Sequence, residues 1–260
     1  MTIDDIFFPA IEGNLLMLET RLRAREVDLN QMLDAGVNNG YRTQLPLLFS
    51  VLNKMHIDGV NTQVLKKLIR YGADPNGYVI LENNIETMKI PLLTYVLCDW
   101  DNPEMAEFLL THGADPNAIK EIRRQDGHTS TYPMLYFTLI NKGPNSSTLL
   151  EMMLKHGADP NEYVNLFIAF GKYYQYLPPV YYALVDQQDR VKLVLLFRYG
   201  ASPQITIDVG YGVAPKTDFQ RYIQMVHPKL SDMLVSCFEA SQLHPQQKPQ
   251  DQQRIPGRSM

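Results

Sequence analysis

The chain has 260 residues and is 45% hydrophobic, so it is long enough to bury a sizeable core in one or two domains. A formal net charge of −4, with both signs interspersed, argues against nucleic acid and anionic membranes as partners. The two cysteines lie far apart and are too few for a disulfide framework or a zinc site, which favours a reducing, cytoplasmic compartment.

The N-terminal segment, MTIDDIFFPAIEGN, begins acidic and has no basic stretch followed by an apolar run, so we expect no signal peptide. No window approaches 18 uncharged apolar residues. Even the aromatic-rich stretch 165–182 is interrupted by Asn165, Lys172 and Gln175, so we expect no membrane-spanning helix.

A six-residue word recurs four times at separations of 41, 44 and 43 residues, which indicates an internal repeat. Its copies are YGADPN ending at Asn76, HGADPN ending at Asn117, HGADPN ending at Asn161 and YGASPQ ending at Gln204. Apolar residues stand three, four and seven positions before each glycine, as on one face of a helix. We therefore expect each glycine to end a helix in the left-handed conformation, and the following Asp-Pro or Ser-Pro to turn the chain.

A second element precedes these helices. It reads PLLFSVL from Pro46, PLLTYVL from Pro91, PMLYFTL from Pro133 and PVYYALV from Pro179. Proline before an apolar run predicts the first residue of a helix. Each unit is thus interpreted as helix, tight turn, helix, glycine stop and extended excursion.

These two elements resemble the ankyrin repeat, in which TPLHxA opens the first helix and GADxN closes the second. The resemblance covers roughly residues 3–204 and implies an all-α repeat solenoid of about five helix-turn-helix units with extended β-hairpin loops and a C-terminal helical cap. The family's Thr and His are replaced here, for example by Leu45 and Leu48, so stacking is expected to rely more on apolar contact. The longer period implies lengthened hairpin fingers.

The first unit allows two registers. In one register Gly36 is the glycine that ends the helix. In the other, AREVDLN is a degenerate copy of the repeated word that ends at Asn30, and we adopt this register. The predicted organisation is a single domain over 1–241, with units at about 3–30, 31–76, 77–117, 118–161 and 162–204 and a cap at 205–241. The Pro/Gln-rich residues 242–260 are predicted to be a disordered polar tail.

The sequence contains no recognisable catalytic motif, phosphate-binding loop or zinc-binding helix, so we expect a protein without enzymatic activity, metal or cofactor. His112 and His156 stand where sister repeats carry Tyr71 and Tyr199, which indicates a structural position. An alternative is an enzyme with an unfamiliar site in the groove near residues 123–128.

By resemblance, a protein or peptide partner would bind the concave face formed by the hairpin fingers and the first helices. Tyrosine and arginine are typical of residues that dominate binding energy. The candidate partner-binding residues are Tyr78, Arg123, Arg124, His128, Tyr132, Phe170, Tyr173, Tyr174, Tyr176 and Tyr182. The alternative is that the aromatic residues of the fourth finger pack on their neighbours and are not displayed.

The sequence is thus interpreted as a monomeric interaction scaffold, acting as an adaptor, inhibitor or targeting module. A more specific version is an effector that an intracellular bacterium delivers into the cytoplasm of a host cell, because such ankyrin proteins have irregular fingers and polar C-terminal tails.

Overall fold

The computed structural model describes residues 4–24, 27–58, 61–168, 173–208 and 217–243. Helices in these ranges occur mostly as antiparallel pairs, with a β-hairpin between one pair and the next. The helices are α1 (Asp4–Ile11), α2 (Leu15–Ala24), α3 (Leu47–Asp58), α4 (Thr62–Arg70), α5 (Leu92–Thr94), α6 (Pro103–Thr111), α7 (Met134–Ile140), α8 (Ser146–Lys155), α9 (Pro179–Tyr181), α10 (Arg190–Arg198), α11 (Phe219–Val226) and α12 (Pro228–Gln242).

The hairpins join into one antiparallel sheet whose eight strands follow chain order. Its strands are β1 (Met32–Asn38), β2 (Tyr41–Pro46), β3 (Tyr78–Glu82), β4 (Glu86–Pro91), β5 (Ile119–Arg124), β6 (Thr129–Pro133), β7 (Val164–Ile168) and β8 (Tyr173–Leu177). A short pair, β9 (Thr206–Ile207) and β10 (Thr217–Asp218), follows.

The expectation of an all-α solenoid is therefore wrong. Adjacent fingers hydrogen-bond to each other through β2–β3, β4–β5 and β6–β7, so the lengthened loops form a continuous sheet. The physical reason is that an isolated two-stranded hairpin is marginal in water, whereas neighbouring fingers can satisfy each other's edge groups.

The repeated word ends helices α4, α6, α8 and α10 in the predicted way. Each stop glycine has a positive φ, between 93° and 106°, which glycine adopts without a Cβ penalty. The alanine after it donates its N–H to a carbonyl five residues earlier, for example Ala114 to Leu109 at 2.9 Å. This arrangement satisfies carbonyls that the helix would otherwise leave unpaired.

The asparagine of the word connects one repeat to the next. The Asn117 amide donates to the carbonyl of Gly157 at 3.0 Å and accepts from the N–H of Asp159 at 2.8 Å. Asn76 and Asn161 make equivalent pairs of bonds. Asn30 does the same with Gly72 and Asp74, while Gly36 lies within strand β1.

The prediction that a proline is the first residue of each first helix is confirmed for Pro179, which begins α9, and is wrong for the other three prolines. Pro46, Pro91 and Pro133 are the last residues of strands β2, β4 and β6, and the helix begins at the following residue. In the last unit Pro178 is the residue directly before the helix, so Tyr181 corresponds to Tyr136 of the preceding unit. Proline suits the position because its fixed φ is compatible with an extended strand end.

In two repeats the first helix, α5 or α9, ends in a wider helical turn. α5 continues as a π-helical segment over Tyr95–Asp99, and α9 does so over Tyr182–Asp186. The residue Asp101 then takes a φ of 46° and Gln188 a φ of 51°. The same sequence pattern, Tyr-x-Leu-x-Asp, occurs in both segments.

A continuous core of buried Leu, Val, Met and Ala side chains runs from Ile6 in α1 to Cys237 in α12. Helices α11 and α12 close its C-terminal end, where Phe238 contacts Phe197 with ring centroids 5.4 Å apart. Within the described ranges, no helix is both long enough and apolar enough to cross a membrane.

Candidate functional site

The two faces of the sheet have different surroundings, and strand pairing assigns each side chain to one of them. Lys120 pairs with Tyr132 across β5 and β6, so these two side chains share a face. The Tyr132 ring lies 5.4 Å from Tyr136 and 6.3 Å from Phe137 of α7. This face, called the inner face below, therefore adjoins the first helix of the repeat.

The first helices, α3, α5, α7 and α9 with their π-helical segments, are called the inner helices below. They present partly exposed aromatic rings at equivalent positions. Phe49, Tyr136 and Tyr181 each lie three residues after the proline that precedes the helix, and none is fully buried. In the third unit this place is taken by the buried Thr94, and the neighbouring Tyr95 packs on Phe49 at 4.7 Å.

These rings form two contact series. In the first, Trp100 stacks on His56 at 5.0 Å and contacts Phe49 at 6.1 Å. In the second, Tyr136 contacts Tyr182 at 4.9 Å, and Tyr181 contacts Tyr222 of the cap at 6.4 Å. Aromatic surface therefore extends along the inner helices across several repeats.

We define the groove as the surface where the inner face of the sheet meets the inner helices, which carries the partly exposed side chains of Phe49, Tyr95, Trp100, Lys120, Tyr132, Tyr136 and Tyr181. Partial burial raises the pKa of Tyr95 and Tyr136 to about 12, so both hydroxyls remain protonated at neutral pH. Burial also lowers the pKa of Lys120.

The predicted partner-binding residues do not form one surface. Thr131 pairs with Asn165, which places Phe167, Tyr174 and Tyr176 on the face opposite to Tyr132. Strand alternation puts Tyr78 and Arg123 on that opposite face too, and Arg124 on the inner face. Lys89 covers the Tyr78 ring at 3.9 Å, and Arg123 pairs with Glu121 at 2.8 Å.

The fourth finger, formed by β7 and β8, packs much of its aromatic surface on the third finger, formed by β5 and β6. The His128 ring stacks on Phe167 with centroids 3.7 Å apart, and its Nδ1 lies 3.2 Å from the Tyr174 hydroxyl. Phe167 is consequently buried, whereas Tyr176 is 38% exposed. Tyr176 also lines a cavity of about 220 Å³ beside β9, together with Tyr163 and Asp208.

Three other predicted partner-binding residues are Tyr182, Phe170 and Tyr173. Tyr182 is only 6% exposed and belongs to the core, so it presents no free surface. Phe170 lies outside the described residues, and so does the side chain of Tyr173, although its backbone pairs with Ile168. The aromatic residues of the fourth finger are thus divided between packing and display.

The region proposed as an alternative catalytic site has ordinary structural contacts. The backbone N–H of His128 donates to the Asp126 carboxylate at 3.1 Å, closing the hairpin turn, while its ring nitrogen contacts a tyrosine hydroxyl. His156 does approach a carboxylate, Glu107, at 3.1 Å, but on the back of the array between α6 and α8. Neither arrangement resembles a histidine and carboxylate held together in a deep pocket.

Sequence reasoning missed Lys120, Tyr136 and Tyr181. The signal that could have found them is the recurrence of an aromatic residue three positions after the proline. It was hidden because the fifth unit was aligned on Pro179, one residue after the equivalent Pro178.

The ankyrin repeat family model matches residues 90–121. No curated protein matches the chain by sequence. Among solved structures, an ankyrin repeat domain from Acinetobacter baumannii AYE has a TM-score of 0.51 and 13% sequence identity, with 89% of this chain and 96% of that chain covered. At this identity the similarity concerns the fold alone. Together the two matches confirm the resemblance to the ankyrin repeat family.

Proposed function

We propose that this chain is an interaction scaffold that binds a protein or peptide partner in the groove. Ankyrin repeats are generally protein-interaction modules. The observation that carries the proposal is the set of partly exposed rings of Phe49, Tyr136 and Tyr181, which recurs at one position on three inner helices.

The groove suits an extended partner because its aromatic positions repeat with the array. Tyrosine rings are rigid and offer both apolar area and a hydroxyl, so they lose little entropy on binding. Asn76, Asn117 and Asn161 hydrogen-bond each repeat to the next, and we call this series the asparagine ladder. It holds consecutive repeats in a fixed register, which keeps these rings preorganised.

The test compares tyrosines on the two faces of the sheet. Peptides would be selected from a random library on the wild-type protein, and their dissociation constants measured on Tyr136→Ala, Tyr181→Ala and Tyr176→Ala. We expect each groove substitution to weaken binding at least tenfold, which is typical of aromatic residues at the centre of an interface. Tyr176→Ala, on the opposite face, should change binding less than twofold.

Circular dichroism and thermal unfolding of each variant would exclude loss of fold as the cause. The opposite pattern, with Tyr176→Ala harmful and both groove substitutions neutral, would move the binding surface to the outer face of the sheet and refute the proposal.

A further inference from the structure

Lys192 and Lys120 both lie against α7, but among the described residues only the ammonium group of Lys192 has hydrogen-bond acceptors. Lys192 is 2% exposed, and its Nζ donates to the carbonyls of Thr138, Leu139 and Asn141 at 2.9–3.0 Å. The Lys120 Nζ lies near two ring faces, 5.7 Å from the Phe137 centroid and 5.9 Å from the Tyr132 centroid, and Asp99 and Glu86 attract it from further away. Within the described part of the chain, no carboxylate lies within ion-pair distance of Lys120.

The tyrosine rings that continue from Tyr132 along the groove carry hydroxyl groups, which are donors as well. Tyr136 lies between Tyr132 and Tyr182, with ring centroids 5.4 Å and 4.9 Å away. The Tyr182 hydroxyl is buried and has no hydrogen-bond partner. Because Tyr182 is buried and Tyr136 is partly exposed, the Tyr136 hydroxyl is the donor of this pair that a partner could reach.

The acidic residues described around Lys120 and Tyr136 do not contact the lysine directly. Glu86 accepts from the Tyr41 hydroxyl at 2.9 Å, and Asp186 accepts from the Gln187 amide at 2.9 Å. Asp99 attracts Lys120 electrostatically from beyond ion-pair distance. In the described part of the chain, the groove at this point therefore offers a cation that no carboxylate contacts directly, together with tyrosine hydroxyl donors.

We propose that Lys120 and Tyr136 receive the side-chain carboxylate of an Asp or Glu in the partner segment that the groove binds. This inference rests on the proposed function and specifies the partner's chemistry. A carboxylate is an acceptor-only group with two oxygens, so it can accept from an ammonium and a hydroxyl together. The hydrogen bonds are charge-assisted, and partial exclusion of water at the groove strengthens them.

The experiment is a double-mutant cycle between protein and peptide. Peptides selected on the wild-type protein would be resynthesised with each Asp replaced by Asn and each Glu by Gln, and titrated against wild type and Lys120→Met. We expect one acid-to-amide change to weaken binding to wild type at least tenfold, and to Lys120→Met less than twofold. Lys89→Met, which removes a cation from a tyrosine ring on the opposite face, serves as the matched control and should behave like wild type.

The inference is overturned if no acid-to-amide change weakens binding to the wild-type protein. It is also overturned if the change weakens binding equally on Lys120→Met. The comparison of acid and amide peptides on the wild-type protein needs no protein variant, so it remains decisive even if Lys120→Met folds poorly. Peptides that require Tyr136 and Tyr181 but no acid refute this inference alone, whereas peptides indifferent to both tyrosines refute the proposed function.

Discussion

Single polar residues fix the geometry of this array by completing backbone groups in the neighbouring repeat. Lys192 of α10 reaches the C-terminal end of α7 and donates to the carbonyls of Thr138 and Leu139 in the helix and of Asn141 just after it. The positive charge also lies at the negative end of the helix dipole, where it is favourable. The sequence could not reveal this role, because a lysine in RVKLVLLF is read as a solvated residue until its neighbour in space is known.

Lys192→Met is expected to destabilise the protein because the aliphatic stem remains while three carbonyls lose their donors. Hydrogen bonds to charged groups contribute about 1.5–3 kcal/mol, so we expect a loss of about 2–3 kcal/mol in the free energy of unfolding. Urea unfolding followed by circular dichroism measures this loss.

The control for that prediction is Lys155→Met, since Lys155 is 58% exposed and pairs with Glu151 at 3.0 Å. An exposed pair of this kind contributes less than about 1 kcal/mol. Equal destabilisation by the two substitutions would contradict the role given to Lys192.

At the scale of elements, the repeated word predicts where helices end but not how fingers pair. Its glycine and Asp-Pro act within one turn, so the ends of α4, α6 and α8 follow from local chemistry. The family resemblance predicts a hairpin in the loop after each of these helices, yet the pairing of β4 with β5 joins residues far apart in the chain. That pairing depends on how the repeats stack, which is a property of the whole array.

The asparagine ladder gives a testable prediction at this scale. Asn117→Ala removes two hydrogen bonds between consecutive repeats, at 3.0 Å and 2.8 Å, and leaves the N–H of Asp159 without its acceptor. Because the site is partly solvated, we expect a loss of about 1–2 kcal/mol in the free energy of unfolding. Thermal and urea unfolding provide the measurement.

Asn38→Ala, at an exposed position in edge strand β1, is the matched control and should change stability by less than about 0.5 kcal/mol. A neutral Asn117→Ala would show that apolar stacking alone holds the repeats together. The loss of the family's Thr and His predicts only that stacking relies more on apolar contact.

At the scale of the whole molecule, repeats arranged as an array create a surface that no repeat has alone. The sequence predicted aromatic fingers and first helices as the binding elements, but it treated them as one face. Alternation along β6 and β7 separates Tyr132 from Tyr174, because Thr131 rather than Tyr132 pairs with Asn165. A one-residue difference in pairing register decides this, and single-sequence patterns do not determine such a register.

The proposed binding surface is the groove between the inner face of the sheet and the inner helices. Hydrogen exchange with mass spectrometry, on the protein with and without a selected peptide, tests it most directly. We predict slower exchange in β5, β6 and α7 and unchanged exchange in the outer helices α6, α8 and α10. Protection confined to those outer helices, or to β8 alone, would contradict the claim.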